Sequence, residues 1–102
     1  AYQTDALADK IPGLLKKAKA SFRSGDFEFA EKFVAQVKQA AKPEQHQQIL
    51  GEAMCLEGEI AMSNGNVKLA QQLLYEAGEK YGHQGAIILR NKLLKEYLRK
   101  DA

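Results

Sequence analysis

Two seven-residue stretches decide how this chain folds: Ser24-Gly25-Asp26-Phe27-Glu28-Phe29-Ala30 and, forty residues on, Asn64-Gly65-Asn66-Val67-Lys68-Leu69-Ala70. Each compresses a helix stop, a helix start and a small packing residue into one phrase. Glycine reaches positive φ without a Cβ penalty and so ends one helix. The Asp or Asn that follows offers a side-chain oxygen to the first free N–H groups of the next. The phrase therefore specifies a tight antiparallel helical hairpin, and its recurrence specifies two of them.

Outward from the turns, apolar residues recur at three- and four-residue spacing. Leu7, Ile11, Leu14, Leu15, Ala18 and Phe22 share one face of a first helix. Pro12-Gly13 interrupts it without a change of phase, which predicts a kinked helix or two helices end to end, well formed from about Pro12 to Arg23. A second helix after Gly25 buries Phe29, Ala30, Phe33, Val34, Val37 and Ala41 and stops near Lys42-Pro43. The third runs from about Glu44 to Ser63 with a wide stripe of Ile49, Leu50, Ala53, Met54, Ile60 and Ala61, and its length makes it central. The fourth buries Leu69, Ala70, Leu73, Leu74, Ala77 and Tyr81 and ends at Gly82. A fifth, about Gln84 to Lys100, carries Ala86, Ile87, Leu89, Leu93, Leu94, Tyr97 and Leu98, with Arg90, Lys92, Lys95, Arg99 and Lys100 toward the other side. No segment alternates with the period of a strand. The chain reads as all-α.

Composition bounds the function classes. A chain of 102 residues is one domain with one modest core, and 45% hydrophobic with 27% charged residues is globular. The longest apolar runs fall far short of a membrane span. A net charge of +2 gives no global pull toward nucleic acid or anionic lipid. The lone Cys55 forms no internal disulfide, which fits a reducing compartment such as the cytoplasm. A periplasmic or secreted protein whose signal peptide had been removed would look the same. The chain opens on Ala1, as a processed protein or a piece of a longer one would.

The echo extends past the turns: Leu14 matches Met54, Ala18 matches Gly58, Phe22 matches Met62, Ala30 matches Ala70 and Val34 matches Leu74. Self-similarity at this period marks stacked units, each unable to bury its apolar face alone. The pattern resembles the tetratricopeptide repeat over about residues 11 to 82. Ala18 and Gly58 stand where that family has a small residue in its first helix. Gly25-Asp26 and Gly65-Asn66 stand at its turn, and Ala30 and Ala70 at the small residue of its second helix, followed by Val34 and Leu74. The sequence departs from the family in carrying Lys17 and Glu57 where an aromatic or leucine is usual, and Ser21 and Ala61 one turn later. Its period is forty rather than about thirty-four residues. The resemblance implies a single domain over residues 1–102: hairpin 1 at about 11–42, hairpin 2 at about 44–82 and a capping helix at about 84–100.

It also implies a protein-interaction module with a groove lined by the first helix of each hairpin. Carried onto this chain, the groove holds Leu15, Lys16, Lys19, Phe22 and Arg23 from one hairpin and Glu52, Cys55, Leu56, Glu59 and Met62 from the next. Lys16, Lys19 and Arg23 share a helix face beside Phe22, a strip suited to an acidic or C-terminal peptide. The same residues also fit a solvated face whose lysines pair with Glu52 and Glu59. Lys19 and Glu59 stand where the family's peptide clamp for chaperone tails needs asparagine, which argues against that ligand.

Other chemistry has less to build on. His46 and His83 stand alone, without a second ligand one helical turn away, so no metal is expected. Cys55 reads as a small core residue, without the nearby histidine that a catalytic thiolate needs. Gly78, Gly82 and Gly85 lack the strand and the Lys-Ser/Thr of a phosphate loop and read instead as the end of the fourth helix and a hinge to the fifth. No desolvated pair of carboxylates is visible. The expectation is a non-enzymatic scaffold or adaptor without cofactor, binding a protein or peptide, with self-association through open apolar ends a further expectation. The alternative is a helical domain that docks nucleic acid or an anionic surface through its basic fifth helix, with Tyr97 facing the core.

Overall fold

The computed structural model describes the backbone of residues 2–101 and the side chains of residues 10–96. Its five helices are α1 (Tyr2–Arg23), α2 (Phe27–Ala40), α3 (Gln47–Ser63), α4 (Val67–Glu79) and α5 (Gln84–Asp101), and no strand occurs among the described residues. The fold is all-α.

The two turns repeat one another bond for bond. At the end of α1, the Asp26 N–H donates to Ser21 O at 2.8 Å and the Gly25 N–H to Phe22 O at 3.1 Å; forty residues on, Asn66 donates to Ala61 O at 2.8 Å and Gly65 to Met62 O at 3.0 Å. This pair of bonds closes a helix on a left-handed residue, and Gly25 and Gly65 take φ +84 and +81. The residue after each glycine then starts the next helix. Asp26 Oδ1 accepts from the Phe29 N–H and Asn66 Oδ1 from the Leu69 N–H, at 3.4 and 3.3 Å. Because one residue belongs to both caps, the connection is three residues long and the helices fold back against each other, α1 on α2 and α3 on α4.

Elsewhere the structure corrects the sequence reading in detail. Of the two expectations at Pro12, a kinked helix or two helices end to end, the second is overturned: α1 is one helix through Pro12. Proline forfeits one N–H bond, while Ile11 and Leu15 on either side keep the same face and are both buried. The third helix begins at Gln47, not near Glu44, because residues 42–46 close a turn of their own. Gln45 and His46 donate their N–H groups to Lys42 O at 3.0 and 2.8 Å, and His46 Nδ1 accepts from the Lys42 N–H at 3.0 Å. His46 is thus a turn-closing residue. The fourth helix ends at Glu79, leaving Tyr81 half-buried beyond it.

Gly78 lies inside α4 rather than ending it. A Cβ there would come within 2.6 Å of Ile87 Cγ1, so the missing side chain is what lets α5 approach. Leu7 and the tail residues Tyr97, Leu98, Arg99 and Lys100, each placed by the apolar pattern, lie outside the described side chains.

The core sits on both sides of α3. Leu50, Ala53, Leu56 and Ile60 join Ile11, Leu15 and Ala18 of α1 and Ala30, Val34 and Val37 of α2. Met54, Cys55 and Ala61 join Ala70, Leu74 and Ala77 of α4 and Ala86 and Leu93 of α5. α3 is central although α1 and α5 are longer, because it is apolar around most of its circumference. Packing otherwise follows chain order, with α5 resting on α4 and touching α3.

Candidate functional site

α1 and α3 pack beside each other with a furrow between them. Two adjoining depressions make it up, of about 300 and 470 Å³, and they share Lys19 and Glu52. The α1 wall carries Lys16, Lys19 and Arg23, with Phe22 at its foot. The α3 wall carries Glu52, Cys55, Leu56 and Glu59, and Leu15 reaches the floor from α1. Every residue assigned to the groove from sequence lines this furrow except Met62, which turns the other way and packs half-buried against the α4 cluster. Phe22, placed beside the basic strip, does not stand fully exposed there. Half-buried, it lies 5.5 Å from the Phe27 ring and presents only part of its surface.

Four residues of the furrow were not foreseen: Pro12, Gly13, Ile49 and His83. His83 belongs to the connection between α4 and α5, remote in sequence from α1. It reaches the furrow because Gly51 has no side chain. A Cβ at Gly51 would stand 3.0 Å from His83 Cβ and 3.1 Å from Tyr81 Cβ, so the missing side chain lets that connection lie this close on α3.

The furrow is electrostatically two-sided, with cations on α1 facing carboxylates on α3. Lys19 Nζ spans it to Glu52 Oε2 at 3.6 Å, with the two side chains 42% and 29% exposed. A pair this open contributes at most about 1 kcal/mol and is easily exchanged for a ligand's own charge. Burial lifts the Glu59 carboxyl above the ordinary carboxylate range, against the opposing pull of His83 and Lys19. Burial likewise pushes the Cys55 thiol up to about 11, helped by the negative charges of Glu59 and Glu52. Cys55 therefore stays protonated at neutral pH, and its thiol behaves as a packing group.

A cleft of about 520 Å³ opens on the opposite side, between α2 and α4 over α3, with Ile60, Leu69 and Leu73 among its lining residues. Within it the Lys38 ammonium of α2 pairs with Glu57 Oε1 of α3 at 2.9 Å. On α5, Arg90 does not stand free: its guanidinium lies 5.1 Å from the Tyr75 ring centre and 3.9 Å from Glu79 Oε1. Lys92 and Lys95 are exposed. Among the described residues no three His, Cys, Asp or Glu side chains gather as metal ligands, and no helix is long and apolar enough to cross a membrane. Comparison with protein-family models, with curated proteins and with solved structures gives no match.

Proposed function

We propose that this protein is a non-enzymatic interaction module, built as two stacked helical hairpins with α5 as a cap in the manner of tetratricopeptide repeats, and that it holds a peptide or protein segment in the α1–α3 furrow. The observation that carries the reading is the furrow itself, two adjoining depressions bridged by the open Lys19–Glu52 pair, with cations on the α1 wall and carboxylates on the α3 wall. An extended segment laid along it would bury apolar side chains against Phe22 and Leu56 and set carboxylates toward Lys16, Lys19 and Arg23. The protonated thiol of Cys55 supports binding rather than nucleophilic chemistry there.

The competing reading, nucleic acid or an anionic surface on α5, has less support because Arg90 is already engaged by Tyr75 and Glu79. An affinity pull-down from an extract of the source cells tests the choice. It uses the wild type and a Lys16→Glu/Lys19→Glu/Phe22→Ala variant of matched helicity. A protein retained by the first and lost by the second supports the furrow. Material retained equally by both, with an affinity that falls steeply in salt and on Lys92→Glu/Lys95→Glu, refutes it in favour of α5.

A further inference from the structure

The internal repeat identifies a second surface on α1, which borders the furrow at Gly13 and extends from there to Lys10, Leu14 and Lys17, outside it. α3 meets the hairpin before it with a defined edge: Leu50 and Ala53, 4% and 0% exposed, sit in the core shared with α1 and α2, and Glu57 takes the Lys38 ammonium of α2. At the same forty-residue offset the corresponding edge of α1 is Lys10, Gly13 and Lys17. These are exposed, and with Leu14 they surround a shallow apolar dimple of about 340 Å³.

Gly13 is the informative residue. A glycine inside a helix costs about 1 kcal/mol relative to alanine. Gly51, Gly58 and Gly78 each have a neighbour that a Cβ would strike, whereas a Cβ on Gly13 would meet nothing within 4 Å. Neither close packing nor positive φ within the fold calls for glycine here. A residue that breaks a local rule without a return inside the fold points to something outside it. The return available is close approach: with no side chain at this point, another helix can bring its backbone against α1, at the position that matches Ala53, which is fully buried against the first hairpin.

The charges say what kind of helix. In the internal contact the approaching helix carries Lys38 and the receiving edge carries Glu57; on α1 that receiving position is Lys17, flanked by Lys10 and Lys16. The sign is reversed. In a second copy the α2 edge is already covered by α3, where Lys38 pairs with Glu57, and stacking through α5 would bring the exposed Lys92 and Lys95 to the same lysine cluster, so neither face of a second copy suits this edge. We infer that the Lys10–Gly13–Lys17 edge of α1 is a docking surface for an acidic amphipathic helix of a partner protein. That helix seats an apolar side chain in the dimple beside Leu14, with carboxylates toward Lys10 and Lys17.

Lys10, Leu14 and Lys17 lie outside the furrow, so the test separates the two surfaces although Gly13 borders both. The probe is a synthetic peptide of about 20 residues, stapled as a helix, with leucines along one face flanked by glutamates. It is titrated into the full isotope-labelled chain and followed by backbone amide shifts. Saturable shifts centred on Lys10, Gly13, Leu14 and Lys17 are expected. Lys10→Glu/Lys17→Glu should weaken binding about tenfold or more. Gly13→Leu should do the same by filling the dimple, with the melting temperature unchanged or raised, and Lys19→Glu in the furrow should have little effect.

Three results overturn the inference. One is no saturable binding below about 1 mM. Another is equal binding by a peptide with lysine for every glutamate, or by one with glutamate but no leucine. The third is a shift pattern centred on Lys19, Phe22 and Arg23 or on α5. In that last case the furrow or α5 binds acidic helices and the outer edge does not.

Discussion

The repeat makes a quantitative prediction about the core. Gly58 and Leu74 face each other between α3 and α4, where a Cβ on Gly58 would lie 2.9 Å from Leu74 Cγ and Cδ2. In the first hairpin the matching positions are Ala18 and Val34, both buried. Each pair divides the same four side-chain carbons differently, none and four in one hairpin, one and three in the other. Gly58→Ala alone overpacks the crossing, at about 1–3 kcal/mol, and recovers about 1 kcal/mol from helix propensity. Leu74→Val alone removes a fully buried methylene and should cost about 0.8–1.5 kcal/mol. The double variant reproduces the pair of the first hairpin and should return to within about 1 kcal/mol of the wild type. A favourable coupling of about 1–2 kcal/mol follows.

Urea and thermal unfolding followed by circular dichroism reads this directly, since 1 kcal/mol moves the midpoint of a domain this size by about 4–8 °C. Losses that simply add in the double variant would refute the claim that the two crossings are interchangeable solutions of one packing problem.

Other consequences are open to measurement. Because burial raises Glu59 in the fold, the folded chain holds a proton that the unfolded chain gives up between the ordinary carboxylate range and the raised value. Stability from this group therefore falls as pH rises through that window, and Glu59→Gln should gain on the wild type between pH 4 and pH 7 in thermal melts; an unchanged difference contradicts the assignment. With its thiol pushed up to about 11, native Cys55 should react with iodoacetamide at pH 8 at least about tenfold more slowly than in urea. Glu59→Gln should quicken the native reaction, since it removes a negative charge beside the thiol. Asp26→Ala and Asn66→Ala each remove a cap bond and should each cost about 1 kcal/mol; a neutral effect at both sites would mean that the glycine turns hold the hairpins without them.

How much was legible in the sequence depended on the range of the interaction. The turns at Gly25 and Gly65 are local chemistry, written in adjacent residues, and both hydrogen-bond as that chemistry requires. The face of α1 survived Pro12 because apolar phase outweighs one missing N–H bond. Helix ends without such a phrase were missed: α3 starts late because Gln45 and His46 bond back to Lys42, a competition between turn and helix that periodicity does not display. Most of the furrow could be placed because helix phase fixes which residues of α1 and α3 face the same way. Met62 escaped because its position against α4 is set by how far α3 rotates on packing. His83 escaped because its neighbours are decided by a glycine thirty-two positions away, at Gly51. Nothing in a one-dimensional pattern distinguishes that glycine from Gly13, which has open space beside it.

The order of packing has a kinetic corollary. α1 closes on α2, α2 on α3, α3 on α4 and α4 on α5, and the remaining helix contacts skip only one element. Each step joins residues already near in the chain, so the loops to be closed are short and their entropy cost grows little with length. The chain should fold in the microsecond-to-millisecond range typical of local topologies. During synthesis its first hairpin can form while the second is still emerging. Opening should proceed the same way in reverse, beginning at α5, whose contacts among the described residues are with α4 and α3 and whose amides should exchange with solvent first.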